Sequence, residues 1–187
     1  LHTAYRRQRQ MCIRDRSIPD ELSQAIVDST VSLTSDIYDH VALVEVTTDN
    51  QIFILHALPS TGSIREPYST FKTRNWTHID LFRANQKINA SQIIRQAKQL
   101  LNQPYNASYI PGEQGYYCAD FIYYAFANNQ IFKLIPMSFS DQTTGAVLPY
   151  WLDYYSKLGL SVPNDQPGLN PNTMLHQQVL HQISRLK

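Results

Sequence analysis

The residue types in this sequence that could carry covalent chemistry are a thiol and a small set of imidazoles. Cys118 lies in Gly115-Tyr-Tyr-Cys-Ala-Asp-Phe-Ile-Tyr, where an irregular stretch gives way to an apolar helical period. A thiol at a helix N-terminus sits among unpaired N–H groups and at the positive end of the helix dipole. Both favour the thiolate, so the expected pKa falls below the free value of about 8.5. The same N–H groups can hold a developing oxyanion, so nucleophile and oxyanion hole can share one structural feature. The competing reading is a small, inert, buried cysteine that only packs. Position alone leaves both open.

A nucleophilic thiol needs a base within hydrogen-bond reach and a third group to orient that base. Of the six histidines, His2 is in the atypical N-terminal segment, His176 and His181 are in a polar tail, and His78 starts a strand. His40 and His56 remain. His40 opens the β-rich run His-Val-Ala-Leu-Val-Glu-Val, and His56 comes late in Ile52-Phe-Ile-Leu-His-Ala-Leu. In an antiparallel hairpin the start of one strand lies beside the end of its partner. The two rings can then be neighbours, one as base and the other as its orienter. Each could equally be a core or edge histidine with a backbone partner.

The elements that would position these groups follow from the pattern. Ser17–Thr30 reads as a helix, with Pro19 suited to its first turn and Leu22, Ala25, Ile26 and Ser29 on one face. His40–Val46 and Ile52–Leu58 read as a strand pair across the Asp49-Asn50 turn. Ile64–Pro67 reads as a short strand, Tyr68–Lys72 as a turn or short helix, and His78–Arg83 as another strand. Asn89 is a good N-cap for a helix with Ile93, Ile94, Ala97, Leu100 and Leu101 on its apolar face. Gln103–Tyr117 is expected to be irregular. Cys118–Asn128 and Pro149–Leu158 read as helices, the latter stopped by Gly159. The tail from Asn172 is expected to be helical or frayed.

Composition narrows the class. The chain has 187 residues with 43% hydrophobic, 17% charged and 11% aromatic residues, which suits one globular domain with a real core and argues against disorder. No apolar run approaches the roughly 20 residues of a membrane helix. Two cysteines, with no CxxC motif or Cys/His cluster, suggest neither a disulfide framework nor a zinc site, so no metal or cofactor is expected. Residues 1–16 hold five arginines against Asp15, a balance of +4, which leaves −3 for residues 17–187. The body shows no basic stripe, and no nucleic-acid partner is expected. Residues 1–16 have no apolar period. Arg9–Arg16 resembles translated adapter sequence, with a disordered arm or a functional basic arm as alternatives. No apolar h-region of a secretory signal follows the charges. The expected organisation is a non-native or disordered basic segment over 1–16, in which Cys12 carries no chemistry, and a single domain over 17–187.

Four segments in this order, Asp39-His40-Val-Ala-Leu-Val-Glu, Ile54-Leu55-His56-Ala57, Gln103-Pro104-Tyr105-Asn106 and Tyr116-Tyr117-Cys118-Ala119-Asp120-Phe-Ile-Tyr, resemble those of the YiiX/YebB-like cysteine hydrolases. These are bacterial papain-like enzymes of the NlpC type with a circularly permuted topology, in which the imidazole strand precedes the thiol helix. The resemblance covers about residues 17–172. It implies an α+β fold, a small antiparallel sheet packed against the helix that carries the cysteine. It also implies Cys118 as nucleophile, His40 as general base and His56 as the group that orients it, with Tyr105, Tyr117 and the Ala119 N–H at the substrate and oxyanion. Relatives tend to have Glu where His56 stands; a neutral imidazole orients by a hydrogen bond without supplying charge, so a weaker ion pair is expected. Asn106 stands where relatives often have Asp. Relatives also open with a strand before the first helix, in the place residues 1–16 occupy here. The implied reaction is hydrolysis of an amide bond, in a cell-wall peptide or a lipid-linked substrate, without a cofactor. An acyltransferase using the same thiolate and a non-catalytic ligand-binding module are the rival readings.

Overall fold

The β-branched and aromatic runs of the chain pair mainly into one antiparallel sheet, with the longer helices on one of its faces and the short α2 on the other. The computed structural model describes residues 11–15, 21–30 and 38–186. In chain order the elements are β1 (Met11–Asp15), α1 (Glu21–Asp28), β2 (Tyr38–Val46), β3 (Ile52–Leu58), β4 (Gly62–Pro67), α2 (Tyr68–Phe71), β5 (Ile79–Ala84), α3 (Ala90–Gln99), α4 (Cys118–Ala125), β6 (Ile135–Pro136), α5 (Pro149–Leu158), β7 (Pro167–Gly168), α6 (Pro171–His176) and β8 (Leu180–Arg185). The main sheet runs β4-β3-β2-β1-β5-β8, and β6 and β7 form a separate small ladder.

Side chains alternate across a strand, so each strand feeds two layers. Val41 and Leu43 of β2, with Leu55 and Ala57 of β3, join Ile93, Ala97, Ala119, Phe121 and Ile122 in the core under α3 and α4. The intervening Ala42, Val44 and Ile54 pack on the opposite face with Phe71, Trp76, Ile79 and Leu81. The helix signals act as the pattern implies. Asn89 caps α3 by accepting from the Gln92 N–H at 3.1 Å, and Gly159 ends α5 in the left-handed conformation at φ 68°.

Ordinarily irregular, the segment before α4 is pinned from both sides. The Ser63 N–H donates to the Gln103 carbonyl at 2.9 Å, and the Tyr116 N–H donates to that of Pro104 at 3.0 Å. Gly62 and Gly115 make these approaches possible. Both have positive φ, 70° and 86°, and a Cβ there would stand 2.0 Å from the Gln103 oxygen and 2.1 Å from the Pro104 oxygen. The strap these contacts hold leads directly into Tyr105.

The structure differs from the sequence reading at both ends. Met11–Asp15, assigned to the segment outside the domain, forms β1 between β2 and β5, with Ile13 opposite both Val41 and Asp80. Composition misleads here because ladder hydrogen bonds are made by the backbone, and β2 and β5 would each expose an unpaired edge without it. Residues 1–10 and 16, with the first part of the expected 17–30 helix and most of the polar turn before β2, lie outside the described residues. The tail is neither wholly helical nor frayed. Asn170 caps α6 through a reciprocal pair with Thr173, and β8 then pairs with β5. Asp80 of β5, fully buried, takes a bidentate hold from Arg185 of β8 at 2.7 and 2.8 Å and a hydrogen bond from the Tyr38 hydroxyl at 2.8 Å. A buried carboxylate needs such partners, and they come from a strand too far along the chain for local pattern to reveal.

Candidate active site

Cys118 is the first residue of α4, with Tyr117 as an extended N-cap residue that makes no side-chain cap. The α4 N-terminus therefore keeps its N–H groups for other partners. The Ala119 N–H and the Val41 N–H lie close enough to the Cys118 sulfur to favour its thiolate. Regular pairing between β2 and β3 runs from Leu43 to Val46. Ahead of Leu43 that register stops, and Val41 pairs with Ile13 of β1 on its other side. The sulfur thus meets β2 one residue from His40. Cys118 and His40 both line one cavity of about 200 Å³, together with Asp39, Trp76, Tyr105 and Tyr117 among others.

The rings of His40 and His56 meet behind that cavity. His40 Nε2 lies 2.9 Å from His56 Nδ1, and His56 Nε2 lies 3.0 Å from Glu66 Oε1. Arg74 closes the series by donating from Nη1 to the same Glu66 oxygen. The register makes this possible. Ile54 is opposite Glu66 and His56 is opposite Ile64, so His56 and Glu66 are diagonal neighbours on one face. Aromatic rings fix the planes: Trp76 stacks on His40 at 5.6 Å and 17° between planes, and Phe71 meets His56 edge-on at 5.5 Å. His56 is completely buried, with Glu66 and His40 nearly so.

Burial sets the protonation states. It holds His56 below the ordinary histidine value, against the opposing pull of Glu66. Burial raises Glu66, but hydrogen bonds from His56 and Arg74 outweigh it and leave the carboxylate lowered. Burial pushes the Cys118 thiol up to about 12, with Asp120 and Asp39 adding to the rise and the Val41 and Ala119 amides opposing it. This corrects the expectation of a lowered thiol. The helix N-terminus does act in the expected direction, but desolvation under the surrounding aromatic side chains is larger. Two residues on, burial carries the Asp120 carboxyl up to about 8. Its oxygens lie near the Asn106 amide and the Tyr117 and Phe121 N–H groups without reaching hydrogen-bonding geometry.

Known proteins place the chain, by family and by fold. Residues 16–184 match the model of a family described as permuted papain-like amidase enzymes, YaeF/YiiX, C92 family. The chain belongs to this family. It is an enzyme of the cysteine hydrolase class with a papain-like fold. The crystal structure of the metalloprotein yiiX from Escherichia coli O157:H7 superposes with a TM-score of 0.73 at 14% identity, covering 95% of this chain and 96% of that one. At that identity the likeness speaks for the fold. Among curated proteins none matches. The permuted amidase topology is visible in the chain order: imidazole strand β2 first, thiol helix α4 last.

Each residue singled out from the sequence has a definite place in this permuted amidase. Cys118, His40, Tyr105 and Tyr117 line the cavity, and His56 stands one ring behind. The Tyr105 hydroxyl faces that of Tyr109 at 3.4 Å; that of Tyr117 accepts from the Leu169 N–H at 3.3 Å. The Ala119 side chain packs in the core, and only its N–H turns to the sulfur. Asn106 braces the strap: its Oδ1 accepts from the Ser108 N–H and hydroxyl, and its Nδ2 donates to the Ile110 carbonyl. Sequence reasoning missed Glu66 and Arg74. An inward-facing acid in a short strand was the available signal, and it becomes readable only once the β3–β4 register is known.

Proposed function

We propose that this amidase cleaves an amide through Cys118 as nucleophile and His40 as general base, with His56 orienting His40. The observation that carries the reading is that Cys118 and His40 line one cavity while His40 Nε2 is tied to His56. With Nε2 so engaged, Nδ1 is the nitrogen that serves the thiol. As sulfur attacks the carbonyl carbon, the S–H proton passes to His40 Nδ1 and the carbonyl oxygen becomes an oxyanion. N–H groups at the start of α4, that of Ala119 included, and the Tyr105 hydroxyl are the donors assigned to it. His40 then returns the proton to the departing nitrogen, the C–N bond breaks, and an acyl thioester remains. Water attacks that thioester and gives its proton to His40. The C–S bond breaks, the thiolate regains the proton, and a carboxylic acid leaves.

A thiol raised to about 12 is protonated at neutral pH, so proton transfer accompanies attack and no resting thiolate is required. The cavity wall favours the lipid-linked substrate over the peptide. Leu22, Ile26, Leu58, Met137, Phe139 and Leu169 line it beside the aromatic rings, and apolar walls suit an acyl chain. Among the described residues no group of three or more His, Cys, Asp or Glu is placed to hold a metal ion. Turnover of fatty-acyl amides and of cell-wall peptides by wild type and Cys118→Ala tests the reading. Release of free acid that the variant abolishes is expected. Acyl transfer to an added amine in place of acid would make the protein a transferase, and equal rates for the two proteins would refute the nucleophile.

A further inference from the structure

Glu66 has two partners on one oxygen, His56 Nε2 at 3.0 Å and Arg74 Nη1. An ionised carboxylate only accepts hydrogen bonds, so His56 Nε2 must carry the proton and donate it. Burial keeps His56 neutral, and a neutral imidazole has one N–H. His56 Nδ1 is therefore bare and can only accept. Its partner at 2.9 Å, His40 Nε2, must then be the donor. A neutral His40 with its proton on Nε2 has its lone pair on Nδ1, the nitrogen a thiol requires. The tautomer of the base then follows from a carboxylate one ring away, on another strand.

We propose that Glu66, held by Arg74, is a positioning residue that sets the tautomer of His40 through His56 and stabilises the imidazolium formed there. The charge expected at the position of His56 is thus supplied one residue farther out. This inference rests on the assignment of Cys118 and His40 above. The charged and titratable groups around the series are Arg74 at its far end, Asp39 next to His40 in the chain, Cys118 on the cavity that His40 also lines, and Asp120 two residues beyond the thiol.

Nitrogen-15 spectra of histidine-labelled protein read the tautomers directly. In wild type, both His40 and His56 are expected as the Nε2–H form. Glu66→Ala is expected to mix the tautomers of both rings. In Glu66→Gln an acceptor oxygen remains and the charge is lost. Iodoacetamide should then alkylate Cys118 about tenfold more slowly at pH 7, with the inflection of the rate profile about one unit lower. Glu66→Asp should recover part of the rate. The proposal is overturned if wild-type His40 carries its proton on Nδ1. It is equally overturned if the Glu66 variants lower the melting temperature but leave tautomers and profile unchanged, as a purely structural Glu66–Arg74 pair would. The wild-type spectrum needs no variant to fold and does not depend on the nucleophile. Should His40→Ala leave Cys118 alkylation unchanged while the tautomers stand as expected, the assignment of the base fails and the relay geometry does not.

Discussion

Replacing His40 by alanine isolates what the imidazole does for the thiol. With burial holding Cys118 near 12, about one molecule in 10⁵ carries the thiolate at pH 7 if the sulfur must ionise alone, against about 3% of an ordinary thiol near 8.5. That is a deficit of about 3.5 logarithmic units. A more basic thiolate is also a better nucleophile, which with a Brønsted slope of about 0.45 returns about 1.5 units. In His40→Ala, Cys118 should therefore react with iodoacetamide on the order of 10²-fold more slowly than free cysteine at pH 7. Its rate should rise tenfold per pH unit up to about pH 11. Wild type, with a base beside the sulfur, should react faster than the variant at neutral pH and level off well below that range. The assay is rate against pH, with peptide mapping to separate Cys118 from Cys12. The reasoning is refuted if the variant and wild type give the same profile, or if either titrates as an exposed thiol near 8.5.

Two further perturbations test the frame and the buried acid. Gly115→Ala places a Cβ 2.1 Å from the Pro104 oxygen at a φ of 86°, so the strap carrying Tyr105 must shift. Turnover is expected to fall more than tenfold, the scale of a misplacement of about 1 Å, and retention of full activity would show that the strap does not position the site. Asp120 has its folded pKa raised to about 8, above an unfolded value of about 3.9. Its native proton therefore stabilises the fold fully below about pH 4, and that contribution is lost as pH rises through 8. Asp120→Asn removes the titration, so urea melts should show it gaining on wild type by on the order of 5 kcal/mol between pH 4 and 9. A constant difference across that range would mean the carboxyl is not buried as described.

Much of the frame around the candidate site could be read from the sequence because its signals are local. Asn89, Pro149 and Gly159 mark helix ends by their own chemistry, and the alternation of β2 and β3 placed His40 and His56 on facing strand ends. What could not be read depends on partners distant in the chain. Glu66 takes its meaning from a diagonal register, β8 from the needs of Asp80, and β1 from two edges that its arginine-rich composition conceals. The direction of the Cys118 shift also belongs here. The helix N-terminus is a local fact and was weighed correctly in sign. The desolvation that exceeds it comes from burial, in a cavity that Tyr105, Tyr109 and Trp151 line with Cys118 only in the folded chain.

A protonated thiol is a consistent design for a cavity whose walls are largely apolar. Held as an ion pair before substrate arrives, thiol and imidazole would both bear the full cost of desolvation. Held neutral, they leave that cost to the moment when sulfur bonds to carbon and its negative charge moves to the carbonyl oxygen, where the α4 amides can receive it. The positive charge appears at the same moment on His40, against the face of Trp76 and in line with Glu66 through His56. Low dielectric strengthens both interactions. Each of these partners gains most from the charged imidazole and little from the neutral one, so their stabilisation falls on the transition state more than on the resting site. On this argument the burial that raises the thiol and the carboxylate behind two rings are parts of one device, and removing either should cost rate before it costs binding.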